Sequence, residues 1–220
     1  MELWQQWLQH PERSRAREFI FQVHFWVGAI AAPYVLLMSL SGSAIVFRNE
    51  LSRVGSIEWL VRFHSELLAG HTGRILNGIG GICTTLLCVT GAVIWWPGIS
   101  YWRRSLTVSW GAHFPRIAWD LHSALGFWCL ALVSLWGVSG IYLAIPQVFN
   151  PLFVIDPHDR FADSSLFWLS RLHFGRFGLF VEITWSLLGL VPAILAFTGV
   201  FVCCRRVLYK KPSNPNVTLE

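Results

Sequence analysis

Four apolar stretches dominate the 220-residue chain, roughly Phe19 to Phe47, Arg74 to Trp96, Ile117 to Ile145 and Phe177 to Cys204. Each reaches the ~20 residues that a helix needs to cross the hydrocarbon core of a bilayer. A segment in lipid must also satisfy its own backbone hydrogen bonds, which a helix does within itself. The composition agrees: 54% of residues are hydrophobic, 13% are charged and the mean hydropathy is +0.51, outside the usual range of a soluble domain. A β-barrel would show ~10-residue alternating segments instead. The expected fold class is an all-α integral membrane protein, a four-transmembrane-helix bundle occupying 19–204, with a segment 1–18 before it and a tail 205–220 after it.

Residues 1–10, "MELWQQWLQH", place Leu3, Trp4, Trp7 and Leu8 on one helical face, which suits a short interfacial helix. The first apolar stretch is too long for a signal-peptide core, so it is expected to be retained. Ten Lys and Arg residues fall in the N-terminal segment, the middle loop and the tail, against seven on the other side. That bias puts both termini in the cytoplasm of a bacterial-type inner membrane. The net charge of +5 is mostly this excess, and it suits anionic headgroups without requiring a nucleic-acid partner. Cys83, Cys88, Cys129, Cys203 and Cys204 lie in the spans with no CxxC or CxxCH, which removes a c-type haem attachment and a zinc cluster.

Aligned on their histidines, the spans show an internal two-fold repeat. Span one reads "HFWVG" at 24–28 and "SLSG" at 39–42; span three reads "HSALG" at 122–126 and "GVSG" at 137–140. Glycines therefore follow each histidine at +4 (Gly28, Gly126) and +18 (Gly42, Gly140). Eighteen residues make five turns, so in an unbroken helix the far glycine returns to the histidine's face about 27 Å along the axis. Spans two and four each follow a histidine, His64 or His173, and end in Thr-Gly, and Pro192 is placed to kink span four. With spans one and three running outward, His24 and His122 share the cytoplasmic side and His64 and His173 the outer side.

Histidines paired by depth on facing helices suit a haem b iron, which takes one axial ligand from each side of the porphyrin. The expected ligands are His24 with His122 and His64 with His173, two haems in all, with Gly28, Gly42, Gly126 and Gly140 admitting the macrocycle. His71, seven residues past His64, is the alternative ligand on span two. Trp128, Trp136 and Trp185 lie within spans as candidate porphyrin neighbours. The cluster Gly70, Gly73, Gly78, Gly80 and Gly81 suits either helix packing or a cofactor groove. Glu182 is acidic inside a span and has no assigned role.

At "FHSELLAGHTGRILNGIGG", "TGAVIWWPG", "DLHSALGFW" and "LHFGRFG", running in that order between about residues 19 and 204, the chain resembles the PepSY-associated transmembrane family. That family includes iron-regulated membrane proteins and ferric-siderophore reductases. The resemblance implies a four-helix core carrying b haems on His24, His64, His122 and His173, and a role in iron handling. It further implies that electrons pass from a cytoplasmic donor or quinone to an extracytoplasmic ferric chelate, making the chain a candidate oxidoreductase of the ferric-chelate reductase type. Family members commonly carry a PepSY domain between the first two spans, whereas "FRNELSRVGSIEWLVRFH" connects them here in a few residues. Two other readings follow from the same residues. One is a cytochrome b subunit of a larger quinone-linked complex; the other is a non-redox membrane scaffold whose histidines only pack. There is no GxGxxG after a strand, so the electron donor is expected to be another molecule.

Overall fold

The computed structural model of the protein describes residues 9, 11, 14–51, 57–98, 101–147 and 160–208. Leu3, Trp4, Trp7 and Leu8, the face of the expected interfacial helix, lie outside these residues, as do His10, His158 and residues 209–220. Among the described residues the regular structure is helical, with no strand. The helices are α1 (Arg15–Ile45), α2 (Ile57–Glu66), α3 (Gly70–Trp95), α4 (Phe114–Trp128), α5 (Leu130–Ala144), α6 (Arg160–Phe174), α7 (Leu179–Gly189) and α8 (Val191–Leu208). A short helix, Arg48–Leu51, follows α1, and a 3-10 helix, Trp102–Leu106, precedes α4. Three stretches are long and apolar enough to cross a membrane, Arg15–Ile45, Gly70–Trp95 and Leu179–Leu208. The α4–α5 pair makes a fourth if its two halves count as one span.

Those halves are bent by 68°, which corrects the expectation of one straight helix over 117–145. Cys129, at φ −100° and ψ 6°, leaves helical geometry between them. The Trp128 indole, at the end of α4, donates to the Leu106 carbonyl. The five-turn spacing from His122 to Gly140 therefore does not lie along one helical face. The last span is interrupted too, at Leu190, two residues before Pro192. There the Ser39 hydroxyl of α1 donates to the Gly189 carbonyl and accepts from the Ala193 N–H at 3.0 Å. A side chain from one helix thus bridges the two groups that a continuous helix would bond directly.

The interior is built from small residues. Ala31, Ala32, Ala118, Ala124 and Ala193 are buried, while Ile30, Phe180 and Phe197 are 79%, 82% and 64% exposed. This inverts a soluble core and is the arrangement expected where lipid solvates large apolar side chains and close backbone approach holds helices together. α1 packs against α3 and α8, α5 against α3, and α4 against α8. A β-carbon on Gly81 would come within 3.2 Å of the Gly137 carbonyl across the α3–α5 contact, and one on Gly189 within 2.5 Å of Ser43 Oγ across α7–α1. The glycine cluster of span two divides accordingly. Gly73 lies under the Glu66 carbonyl, Gly78 on Ile145, Gly80 on the Tyr34 ring and Gly81 on Ile141, whereas Gly70 faces nothing within 4 Å.

Candidate functional site

The four histidines meet four hydroxyls, each followed by a glycine. His24 Nδ1 lies 2.9 Å from Thr90 Oγ1, His122 Nδ1 3.1 Å from Thr198 Oγ1, His64 Nδ1 2.9 Å from Ser41 Oγ and His173 Nδ1 2.6 Å from Ser139 Oγ. A β-carbon on the glycine after each hydroxyl would meet the same ring's Cε1: at 3.3 Å for Gly91 and His24, 3.0 Å for Gly199 and His122, 2.9 Å for Gly42 and His64, and 3.9 Å for Gly140 and His173. The local unit is a Ser/Thr-Gly step on one helix that receives an imidazole from another. The hydroxyl holds the ring's Nδ1, and the missing side chain leaves room for its Cε1.

A proton inventory fixes the direction of these bonds. Each hydroxyl has one proton, and each donates it to the carbonyl four residues back in its own helix: Thr90 to Leu86, Thr198 to Ile194 and Ser41 to Leu37, all at 2.7 Å, and Ser139 to Leu135 at 2.5 Å. The oxygen then has only lone pairs to offer the imidazole, so Nδ1 carries the ring proton. The Leu87, Met38 and Leu195 carbonyls, which can only accept, lie beside His24, His64 and His122 and support the same assignment. Every ring is thereby left with a bare Nε2 lone pair. At His64 and His173, burial holds the imidazole well below its usual pKa, to about 4 and about 3, with the charge of His64 adding to the shift at His173. Both are neutral near pH 7.

The histidines come in twos. The His24 and His122 rings lie edge-to-face with centroids 6.4 Å apart. His64 and His173 line one cavity of ≈ 380 Å³, walled also by Tyr34, Trp136 and Trp185. Among the described residues no group of three or more His, Cys, Asp or Glu is placed to hold a metal ion.

Different scaffolds hold the two pairs. His24 and His122 sit on α1 and α4 themselves, whereas His64 and His173 sit on α2 and α6, the helices that precede the spans. Asn77 of α3 donates to the His64 and Ser65 carbonyls at 2.7 and 3.1 Å, satisfying acceptors that the end of α2 leaves open. Tyr34 of α1 donates to Asn77 Oδ1 at 2.6 Å. On the other side the Trp185 indole donates to the Leu172 carbonyl at 2.9 Å and sits over Gly175, whose φ of +64° and lack of side chain permit the contact.

His71 is exposed in the first turn of α3. Gly28 and Gly126 face Leu87 and Leu195, where a β-carbon would make ordinary contacts of 3.6 and 3.9 Å. Trp128 is 65% exposed, while Trp136 and Trp185 meet edge-to-face at 6.3 Å in the cavity wall. Glu182 lies in the first turn of α7, and its charge is felt at Arg176. Sequence reasoning marked the Thr-Gly ends of spans two and four but assigned no role to the four hydroxyls or to Gly91 and Gly199. The signal was a Ser or Thr before the glycine in every span, at 41, 90, 139 and 198.

The PepSY-associated TM region family matches residues 54–159, just under half of the chain. The matched part is shorter than the stretch over which the motifs run, and it contains His64 and His122 but not His24 or His173. The uncharacterized protein PA4219 of Pseudomonas aeruginosa is 30% identical over 89 residues, 39% of this chain and 21% of that protein, so the similarity reaches about a fifth of the relative's length. No solved structure matches. Over residues 54–159 the chain is similar to the PepSY-associated TM region, and its long apolar helices are those of a multi-pass membrane protein.

Proposed function

We propose that this PepSY-associated membrane chain is a b-type dihaem electron carrier, with one haem held by His24 and His122 and the other by His64 and His173. The observation that carries the reading is the hydroxyl-fixed tautomer, which leaves four bare Nε2 atoms arranged in two pairs. The separation at His24 and His122 supports it. Their ring centroids are 6.4 Å apart, room for one metal ion to be held between the two imidazoles. The iron, when bound, supplies reversible one-electron chemistry. The chain's own residues do the rest: Thr90, Thr198, Ser41 and Ser139 keep the proton on Nδ1, and Gly91, Gly199 and Gly42 leave space for the Cε1 edges of His24, His122 and His64.

The internal two-fold repeat belongs to the same reading. Asn77 and Thr90 in span two correspond to Trp185 and Thr198 in span four at the same spacing, and Ser41-Gly42 corresponds to Ser139-Gly140. Each half of a four-helix bundle then gives one histidine to each pair. With both termini cytoplasmic by the Lys and Arg bias, the His24 pair faces the cytoplasm of an inner membrane and the His64 pair the outside. Electrons from a cytoplasmic donor or quinone cross to an acceptor outside, a ferric chelate in the iron-uptake role that the resemblance implies. Purified protein should contain two low-spin b haems per chain, and His24→Ala and His64→Ala should each remove one. A chain expressed with ample haem that binds none sinks the proposal.

A further inference from the structure

The cavity that holds His64 and His173 has two cations in its wall, Arg48 and Arg176. Arg48 opens the short helix after α1, and Arg176 follows His173 by three residues in the turn between α6 and α7. Loss of hydration, and then the charge of Arg48, lower the Arg176 pKa from its usual value, and Glu182 offsets part of this. The two guanidiniums therefore sense each other. Among the described residues the ion pairs are Arg62–Glu66, Arg74–Glu66 and Arg116–Asp120, and neither Arg48 nor Arg176 joins a carboxylate. Arg176 lies over the face of Phe174, 5.0 Å away.

Two like charges beside a mostly apolar space with aromatic walls repel each other until an anion lies between them. Guanidinium forks match carboxylates in a paired, planar geometry. The combination calls for a ligand with an apolar body and acidic groups at one edge. We propose that Arg48 and Arg176 form a carboxylate clamp at the His64–His173 cavity. The paired carboxylates have two sources: the propionates of a haem on His64 and His173, in which case the clamp rests on the function proposed above, or the carboxylates of an incoming ferric chelate.

The test uses the full-length protein in lipid nanodiscs, with R48Q/R176Q and the charge-retaining R48K/R176K beside the wild type. If the clamp holds propionates, R48Q/R176Q releases the haem of the His64 end to apomyoglobin at least about tenfold faster, and the haem of the His24 end, which also reports intact folding, is unchanged. Wild type loaded with haem dimethyl ester, which lacks free carboxylates, then releases it as fast as the double variant does. If the clamp serves the chelate, haem release is unchanged, while binding of radio-iron citrate weakens by a similar factor and binding of an uncharged ferric trihydroxamate does not. In either case R48K/R176K falls between wild type and R48Q/R176Q. Unchanged haem release together with unchanged citrate binding overturns the clamp. A wild type that binds no haem overturns the dihaem reading instead, and the clamp is then judged on citrate binding alone.

Discussion

The two ends of the molecule use the same imidazole–hydroxyl–glycine contact but carry it on different parts. At the His24 end the histidines belong to α1 and α4, helices of the membrane stretches themselves, and the hydroxyls are threonines, Thr90 near the far end of α3 and Thr198 in the middle of α8. At the His64 end the hydroxyls belong to α1 and α5, and the histidines ride on α2 and α6. The first pair is built on the membrane stretches themselves. The second depends on how two helices outside the spans are docked, through Asn77, Tyr34 and Trp185. One end reads as fixed framework and the other as an adjustable mouth.

The largest test of that contrast is histidine removal. His122→Ala should empty only the His24 end and His173→Ala only the His64 end, halving the haem per chain each time, as read by the reduced-minus-oxidised spectrum. If one variant lost both haems, the ends would not be independent. Next comes the hydroxyl. Thr198→Val keeps the shape of the side chain but removes the acceptor for the His122 Nδ1 proton. A lost partner of this kind lowers ligand affinity by roughly 10–100-fold, at that end alone, and Thr198→Ser should restore it.

The glycines discriminate more finely. Gly42→Ala brings a carbon to 2.9 Å from the His64 ring, whereas Gly140→Ala leaves 3.9 Å at His173. The first should disturb the absorption of the His64-end haem and the second should leave it unchanged; equal effects would refute the geometry.

Acid gives a smaller effect on the haem-free protein. The His64 and His173 pKa values fall from about 6.5 to about 4 and about 3 in the fold. Below about pH 6.5 the unfolded chain therefore binds protons that the folded chain refuses. Their contribution to stability is complete above pH 6.5 and is lost as the pH falls towards 4 and then 3. The melting temperature of haem-free protein should fall over that window, and by less in His64→Gln. Smallest of all, backbone amides of α2 and α6 should exchange faster than those of α1 and α3, since short docked helices open more readily than long packed ones.

How much of this was legible beforehand varies from residue to residue. The spans were readable because lipid demands ~20 apolar residues in a row, and α1 and α3 fall where hydropathy puts them. The histidine pairs were readable because an imidazole stands out against such a background, and their shared spacing suggested shared depth. The bend at Cys129 was not, since neither proline nor glycine marks that position and its visible correlate is a tryptophan reaching a distant carbonyl. The roles of Ser41, Thr90, Ser139 and Thr198 were equally hidden. A hydroxyl in an apolar helix ordinarily bonds its own backbone, and nothing in one strand of text says that a ring 23 or 66 residues away takes its other lone pair.

Ser39 has a mechanical consequence. Its hydroxyl is threaded into the backbone of the last span, bridging Gly189 and Ala193. α1 therefore cannot slide along α8, or rotate about its own axis, without breaking both bonds. The two helices are pinned in register, like a gear tooth seated in a rack. Any rearrangement that accompanies loading at either end must move them together as one rigid beam, and the freedom to adjust is left to α2 and α6.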